Sequence, residues 1–365
     1  MPISTRNVRN KQAGFSLVEI LVGLLIGLIG IIVMMQVFSV SEERKRSTTA
    51  GSDAQNTAFI ALDGLQRAIM QSGNGFNQLL GCVVVLRDGN SVPLIPVFIN
   101  PPHNIIPAGD DLSDTLLVAY GTSDYQPEGY PWTGGSLPTT DNFQNGDILI
   151  AAPASCDQYE PTMDKTKAPT QLVVRKENGS AFPVGTLPAG GTNALFNLGS
   201  QPKFLAYAVR SGKLTVCNFF GKDATLNPCS DKDKTNDEEI WQPVAANVIA
   251  LRAVYGWRDK DPKFEIGRTR PINTTEWSSV AAIRVAVLSR STQYERPVPN
   301  ANNPALLTHV TLTPPEWTPN PGSAAVPFWS AGDRNAPEDW QDYRYRVFET
   351  QIPLRNIVWM KDGAK

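Results

Sequence analysis

Proline is missing from a long early stretch of this sequence: after Pro2 the next is Pro93. Nothing between them breaks a helix by ring clash. Acidic residues are missing from the first fourteen positions, which hold Arg6, Arg9 and Lys11. Residues 20–35, ILVGLLIGLIGIIVMM, carry no charged or hydrogen-bonding side chain. Histidine is nearly absent, with only His103 and His309, and no H-E-x-x-H, G-x-S-x-G or Walker A pattern occurs. Hydrolytic, zinc-dependent and nucleotide-driven chemistry therefore has no motif to stand on, and the chain reads as non-enzymatic. There is no excess of positive charge: the net charge is −2. Without a global basic field, nucleic acid is not an expected partner. None of the four cysteines forms a C-x-x-C pair, which argues against a thioredoxin motif or a zinc ribbon. No internal repeat or low-complexity tract is present.

What is there begins with the apolar run. Phe15–Val40 is longer than the roughly 20 residues that cross a bilayer core. No small-residue cleavage site follows it, so it reads as a retained membrane helix rather than a secretory signal. The basic start keeps the N-terminus on the cytoplasmic side. Cys82, Cys156, Cys217 and Cys229 all lie beyond the run, and their even number favours disulfides in an oxidising compartment. Arg44-Lys45-Arg46, preceded by Glu42 and Glu43, reads as a solvated helix turn. Glu19 is the anomaly, a carboxylate four residues into the run; such a residue costs ~2.5–3.5 kcal/mol near a bilayer centre and usually has a partner, the alternative being that it snorkels at the cytoplasmic interface.

Lys11-Gln12-Ala13-Gly14-Phe15-Ser16-Leu17-Val18-Glu19 resembles the processing site of type IV prepilins and type II secretion pseudopilins. The resemblance implies a leader cut after Gly14 by a membrane-embedded prepilin peptidase, N-methylation of Phe15, and Glu19 as the acidic residue used in subunit assembly. A cationic amine at Phe15 and a carboxylate at Glu19 on a neighbour would tolerate an apolar environment together better than apart.

Downstream, Ala58, Leu62, Leu65 and Ile69 recur at helical spacing. One helix is expected from about Phe15 to about Ser72, ended by Ser72-Gly73-Asn74-Gly75, with the stripe laid on a sheet. Gly23, Gly27, Gly30 and Gly51 are places where it can bend. Short β-branched runs then predict strands over Cys82–Leu86, Thr115–Tyr120, Asp147–Ala151, Leu172–Arg175, Phe204–Arg210, Lys213–Asn218, Val248–Trp257, Ala281–Ser289, Tyr343–Thr350 and Asn356–Met360. Residues 93–138 and 297–327, with eight prolines each, read as loops. The fold class is α+β, a long N-terminal helix on a large antiparallel sheet body. The expected organisation is leader 1–14, membrane and assembly helix 15–40, periplasmic half of the helix 41–75, and β-rich body 76–365.

Cys217 and Cys229 flank Asn218–Pro228 and can close a short loop worth about 3 kcal/mol, which would leave Cys82 with Cys156. Three connectivities of four cysteines stay open at this point. Asp231, Asp233 and Asp237 fall at positions one, three and seven of a calcium loop. Asn236 stands where glycine is expected and Gln242 where glutamate is, so a solvated charged loop is the preferred reading and calcium the lesser one.

The segments Ala246–Gly256 and Phe348–Asn356, with Gly81-Cys82 after the helix, are similar to PilW-type minor pilins. That resemblance implies a subunit in the initiation of type IV pilus assembly, in a priming or tip complex. Implied partners are other minor pilins, the major pilin, the prepilin peptidase, the inner-membrane platform protein and a tip adhesin. The implied location is the bacterial inner membrane, with the C-terminal body in the periplasm or carried out in the fibre. A pseudopilin of type II secretion and a membrane-anchored periplasmic binding module are the alternatives.

Overall fold

The computed structural model describes residues 16–76, 79–80, 82–85, 91–124, 129–132, 143–144, 146–153, 170–175, 181–183, 193–219, 228–258, 263–266, 271 and 274–358. The chain divides into two compact units, residues 1–50 and 51–365. Helix α1 (Leu17–Gln71) runs without interruption through Gly23, Gly27, Gly30 and Gly51. In the first unit it is bare: every large apolar side chain from Leu17 to Phe38 is exposed. A surface of that kind is stable only against lipid or other apolar helices.

In the second unit α1 buries one face. Ala54, Ala58, Ala61, Leu62, Leu65, Ala68 and Ile69 are all buried, at the three- and four-residue spacing of a single stripe. The three alanines that join the expected stripe let the helix approach the core closely. Its end is closed by three devices. Ser72 Oγ donates to Ile69 O at 2.7 Å, and Gly73 takes a positive φ of 82° that a side chain would strain. Asn356, from the far end of the chain, donates its amide to Gln71 O (3.1 Å) and Ser72 O (2.9 Å). Gln71 O also accepts from Asn74 N–H at 3.2 Å, so the carbonyl that depends on Asn356 among the described residues is Ser72 O.

The strands, in chain order, are β1 (Val83–Val85), β2 (Ser91–Pro93), β3 (Val97–Ile99), β4 (Leu116–Tyr120), β5 (Tyr130–Trp132), β6 (Ile148–Pro153) and β7 (Thr170–Arg175). Then come β8 (Ala181–Pro183), β9 (Asn193–Asn197), β10 (Lys203–Arg210), β11 (Lys213–Asn218), β12 (Gln242–Ala246), β13 (Val248–Trp257) and β14 (Lys263–Phe264). The rest are β15 (Val280–Arg290), β16 (Val298–Pro299), β17 (Leu307–Thr308), β18 (Glu316–Trp317), β19 (Val326–Pro327) and β20 (Tyr345–Pro353). They do not make one sheet. A first sheet runs β2-β1-β7-β6-β9-β5 with β8 beside β7, a second β12-β11-β10-β4-β3, and a third β14-β13-β15-β20. Pairing is antiparallel except between β1 and β7. The β10–β11 hairpin turns at Ser211-Gly212, both at positive φ, as a two-residue hairpin requires.

The third sheet is the best read from sequence, since β13 has the expected bounds and β15 gains one residue at each end. Both strands are buried on both faces, which is why they appear as nearly continuous apolar runs. Leu251, Val285, Val287 and Ile352 share one core with the α1 stripe. Ala250, Ala286 and Leu288 lie on the other face, under Trp317, Phe328 and Trp329. Those aromatics belong to the excursion between β15 and β20, which includes the proline-rich 297–327. This stretch forms no helix, but it holds two small ribbons, β16–β17 and β18–β19, and roofs the sheet. Likewise, 93–138 contains β3, β4 and β5.

One expected strand is corrected. Asn356–Met360 is not extended; its described part lies in the short helix α3 (Arg355–Val358). Leu354 and Ile357 are buried three residues apart, a helical spacing, and the turn aims Asn356 at the end of α1. The preceding strand ends at Pro353 rather than Thr350.

Candidate assembly surfaces

Gly14 and Phe15 lie outside the described residues. Glu19 is exposed in the first turn of α1, with its N–H donating to Ser16 O at 3.0 Å. A carboxylate at a helix N-terminus is favoured by the helix dipole, and here it stands at the head of 23 apolar-rich residues, Leu17–Ser39, none of them buried.

Cys217, at the end of β11, and Cys229, in a 3-10 turn, form a buried disulfide with Cα atoms 5.8 Å apart. Cys82 is buried and disulfide-bonded; Cys156 lies outside the described residues. Asp231 and Asp237 are engaged locally: their carboxylates accept from Asp233 N and Glu239 N, each at 3.0 Å. Asp233 is exposed on the same turn. Among the described residues no three His, Cys, Asp or Glu side chains are grouped to hold a metal ion. His103 is exposed, and His309 Nδ1 lies 2.6 Å from Asp342 Oδ1, while Tyr294 donates to Asp342 Oδ2 at 3.2 Å.

Several contacts between distant segments had no sequence signal. Ser113 and Asp114 close part of one edge of the third sheet. Leu251 N–H donates to Ser113 Oγ (3.0 Å), Ala253 N–H to Asp114 Oδ2 (2.9 Å), and Asp114 N–H to Leu251 O (2.7 Å). Tyr255 OH accepts from Ile99 N at 2.8 Å and so joins the second sheet to the third. Beside these groups lies a cleft of about 540 Å³ lined by Asn100, Asp114, Arg252, Glu265 and Trp317 among others. Arg284 pairs with Glu349 at 2.6 Å across β15 and β20, and Glu349 also accepts from Thr318 N at 2.9 Å, pinning the roof to the sheet. Arg210 donates to Pro107 O and Ala108 O while stacking 4.1 Å from the Trp241 ring; its burial lowers the guanidinium pKa, with Asp110 opposing that shift. These groups are engaged in holding loops, sheets and roof together.

Residues 216–356 match the model of the type IV pilus-assembly protein W family, and residues 9–35 match the prokaryotic N-terminal methylation motif. No curated protein and no solved structure matches the chain. The first match starts in β11 and ends at Asn356, taking in the disulfide, the whole third sheet and its roof. The second contains Glu19 and most of the bare apolar stretch. With the apolar helix and the antiparallel body both present behind them, these two matches support a PilW-like type IV pilin.

Proposed function

We propose that this protein is a minor pilin that acts in the initiation of type IV pilus assembly, as a structural subunit rather than an enzyme. The observation that carries the reading is the junction of an N-methylation motif with a fully exposed apolar helix on a chain whose body matches a pilus-assembly family. In this reading residues 1–14 are removed by the prepilin peptidase and Phe15 is methylated. The 15–40 segment anchors the subunit in the bacterial inner membrane, and the body from 76 onward stands in the periplasm. Glu19 pairs with the N-terminal amine of a neighbouring subunit. Other minor pilins, the major pilin and the platform protein are the partners.

Mass spectrometry of the protein from peptidase-positive and peptidase-deficient cells tests this. The mature chain should begin at methylated Phe15, with 351 residues and a net charge of −5, which is −2 less the three positive charges of the leader. Gly14→Glu should leave the leader in place. An intact N-terminus in peptidase-positive cells would refute the proposal.

A further inference from the structure

The third sheet has two edges, and they are treated differently. At β13 the edge is taken up by Ser113 and Asp114 and by β14. At β20 it is open. Ser291 N–H donates to Arg344 O just before the β15–β20 ladder, and Leu354 N–H to Ala281 O just after it. Antiparallel pairing alternates, so Arg346, Phe348, Thr350 and Ile352 face β15 with their backbone groups. The N–H and C=O groups of Tyr345, Val347, Glu349 and Gln351 therefore point outward. Among the described residues no backbone or side-chain partner takes up those four amides. Arg346, Gln351 and Pro353 on this strand are exposed. β20 has nine residues, so its edge is not blunted by shortness, one of the devices by which proteins guard edge strands.

We infer that the outer edge of β20 is a strand-addition site, filled by an extended, acid-bearing segment of a different subunit of the same fibre; this rests on the pilus reading above. A row of alternating main-chain donors and acceptors is matched by another extended main chain and by little else. The charges choose among such chains. Glu349 is already answered by Arg284, whereas exposed Arg346 meets no carboxylate among the described residues. A second copy of β20 suits the edge poorly. In full antiparallel overlap it would set Glu349 against Glu349, and like charges directly opposite are destabilising.

The test is photocrosslinking of the full-length protein in pilus-forming cells, with a benzophenone side chain at Gln351 and the linked peptide identified by mass spectrometry. The expected product joins β20 to a segment of another pilin-like subunit. Val347→Pro removes an outward N–H and spares the bonds to β15, so it should cut the yield by about tenfold or more. Val347→Ala, which keeps the N–H, should stay near the parent yield. Arg346→Glu leaves the backbone alone and should also reduce the yield, which keeps the test decisive if the proline variant folds poorly. A missing crosslink, a crosslink to a second copy of this chain, or equal yields in all variants would overturn the inference. The N-terminus is read on the same samples: correct processing without the crosslink overturns strand addition alone, whereas absent processing overturns the pilus reading itself.

Discussion

Glu19 is the one carboxylate in the apolar run Phe15–Val40. It is exposed at the head of an apolar helix, and among the described residues of the subunit none is paired with it. If its partner is a neighbour's amine, Glu19→Ala should insert at least as readily, because a carboxylate is removed from the apolar run. Cleavage after Gly14 should persist, because that junction is untouched. Entry into the assembly should fall, since breaking a buried pair costs roughly 3–5 kcal/mol, less where water reaches it. A tenfold change needs only about 1.4 kcal/mol, so even a discounted loss is measurable. Recovery of partner pilins and counts of pili in Glu19→Ala and Glu19→Gln cells supply the measurement. Parental values in both would leave Glu19 without an assembly role.

At the scale of elements, the join between α1 and the third sheet rests on a few long-range polar ties laid over an apolar stripe. Buried Ser289 on β15 donates to Ala54 O of the helix at 3.0 Å, and Asn356 caps the carbonyls at the helix end. Asn356→Ala should destabilise the body by about 1 kcal/mol, the typical result of leaving one carbonyl, Ser72 O, unanswered. Asn356→Asp should do no better, because a carboxylate offers no donor to a carbonyl. Urea unfolding of the three proteins gives the comparison. The stripe itself was legible: Ala58, Leu62, Leu65 and Ile69 stand at helical spacing, and all four are buried. The capping was not legible, since Gln71 and Asn356 are 285 residues apart and no local pattern joins them. α3 was misread for a related reason. A short β-branched run looks alike in a strand and in one helical turn, and only the packing of Leu354 and Ile357 decides.

For the whole molecule, buried phenols link stability to alkaline pH. Burial pushes Tyr345 up to about 12, with Arg290 drawing it partly back. Tyr207 is raised by burial and by the nearness of Tyr120. An unfolded chain ionises these groups near 10 while the folded body keeps them neutral, so their contribution is whole below pH 10 and fades as pH climbs. Unfolding midpoints between pH 9 and about 12 should fall for the parent, and Tyr345→Phe should flatten that fall by removing one of the phenols. Identical slopes would show that Tyr345 carries none of it.

The apolar run, the basic start, Glu19, the α1 stripe and the strands β10, β11, β13 and β15 were all readable from the sequence. Each is encoded within one continuous stretch of neighbouring residues, by hydropathy, charge and spacing alone. Tertiary structure alone decided how the strands divide into three sheets, and the parallel join of β1 to β7. It also decided that the proline-rich excursion roofs the third sheet, that Asp114 closes part of one edge of that sheet, and that no described strand pairs with β20 at the other. Those outcomes rest on contacts between segments tens to hundreds of residues apart, where backbone groups find partners according to topology and local composition carries no record of them.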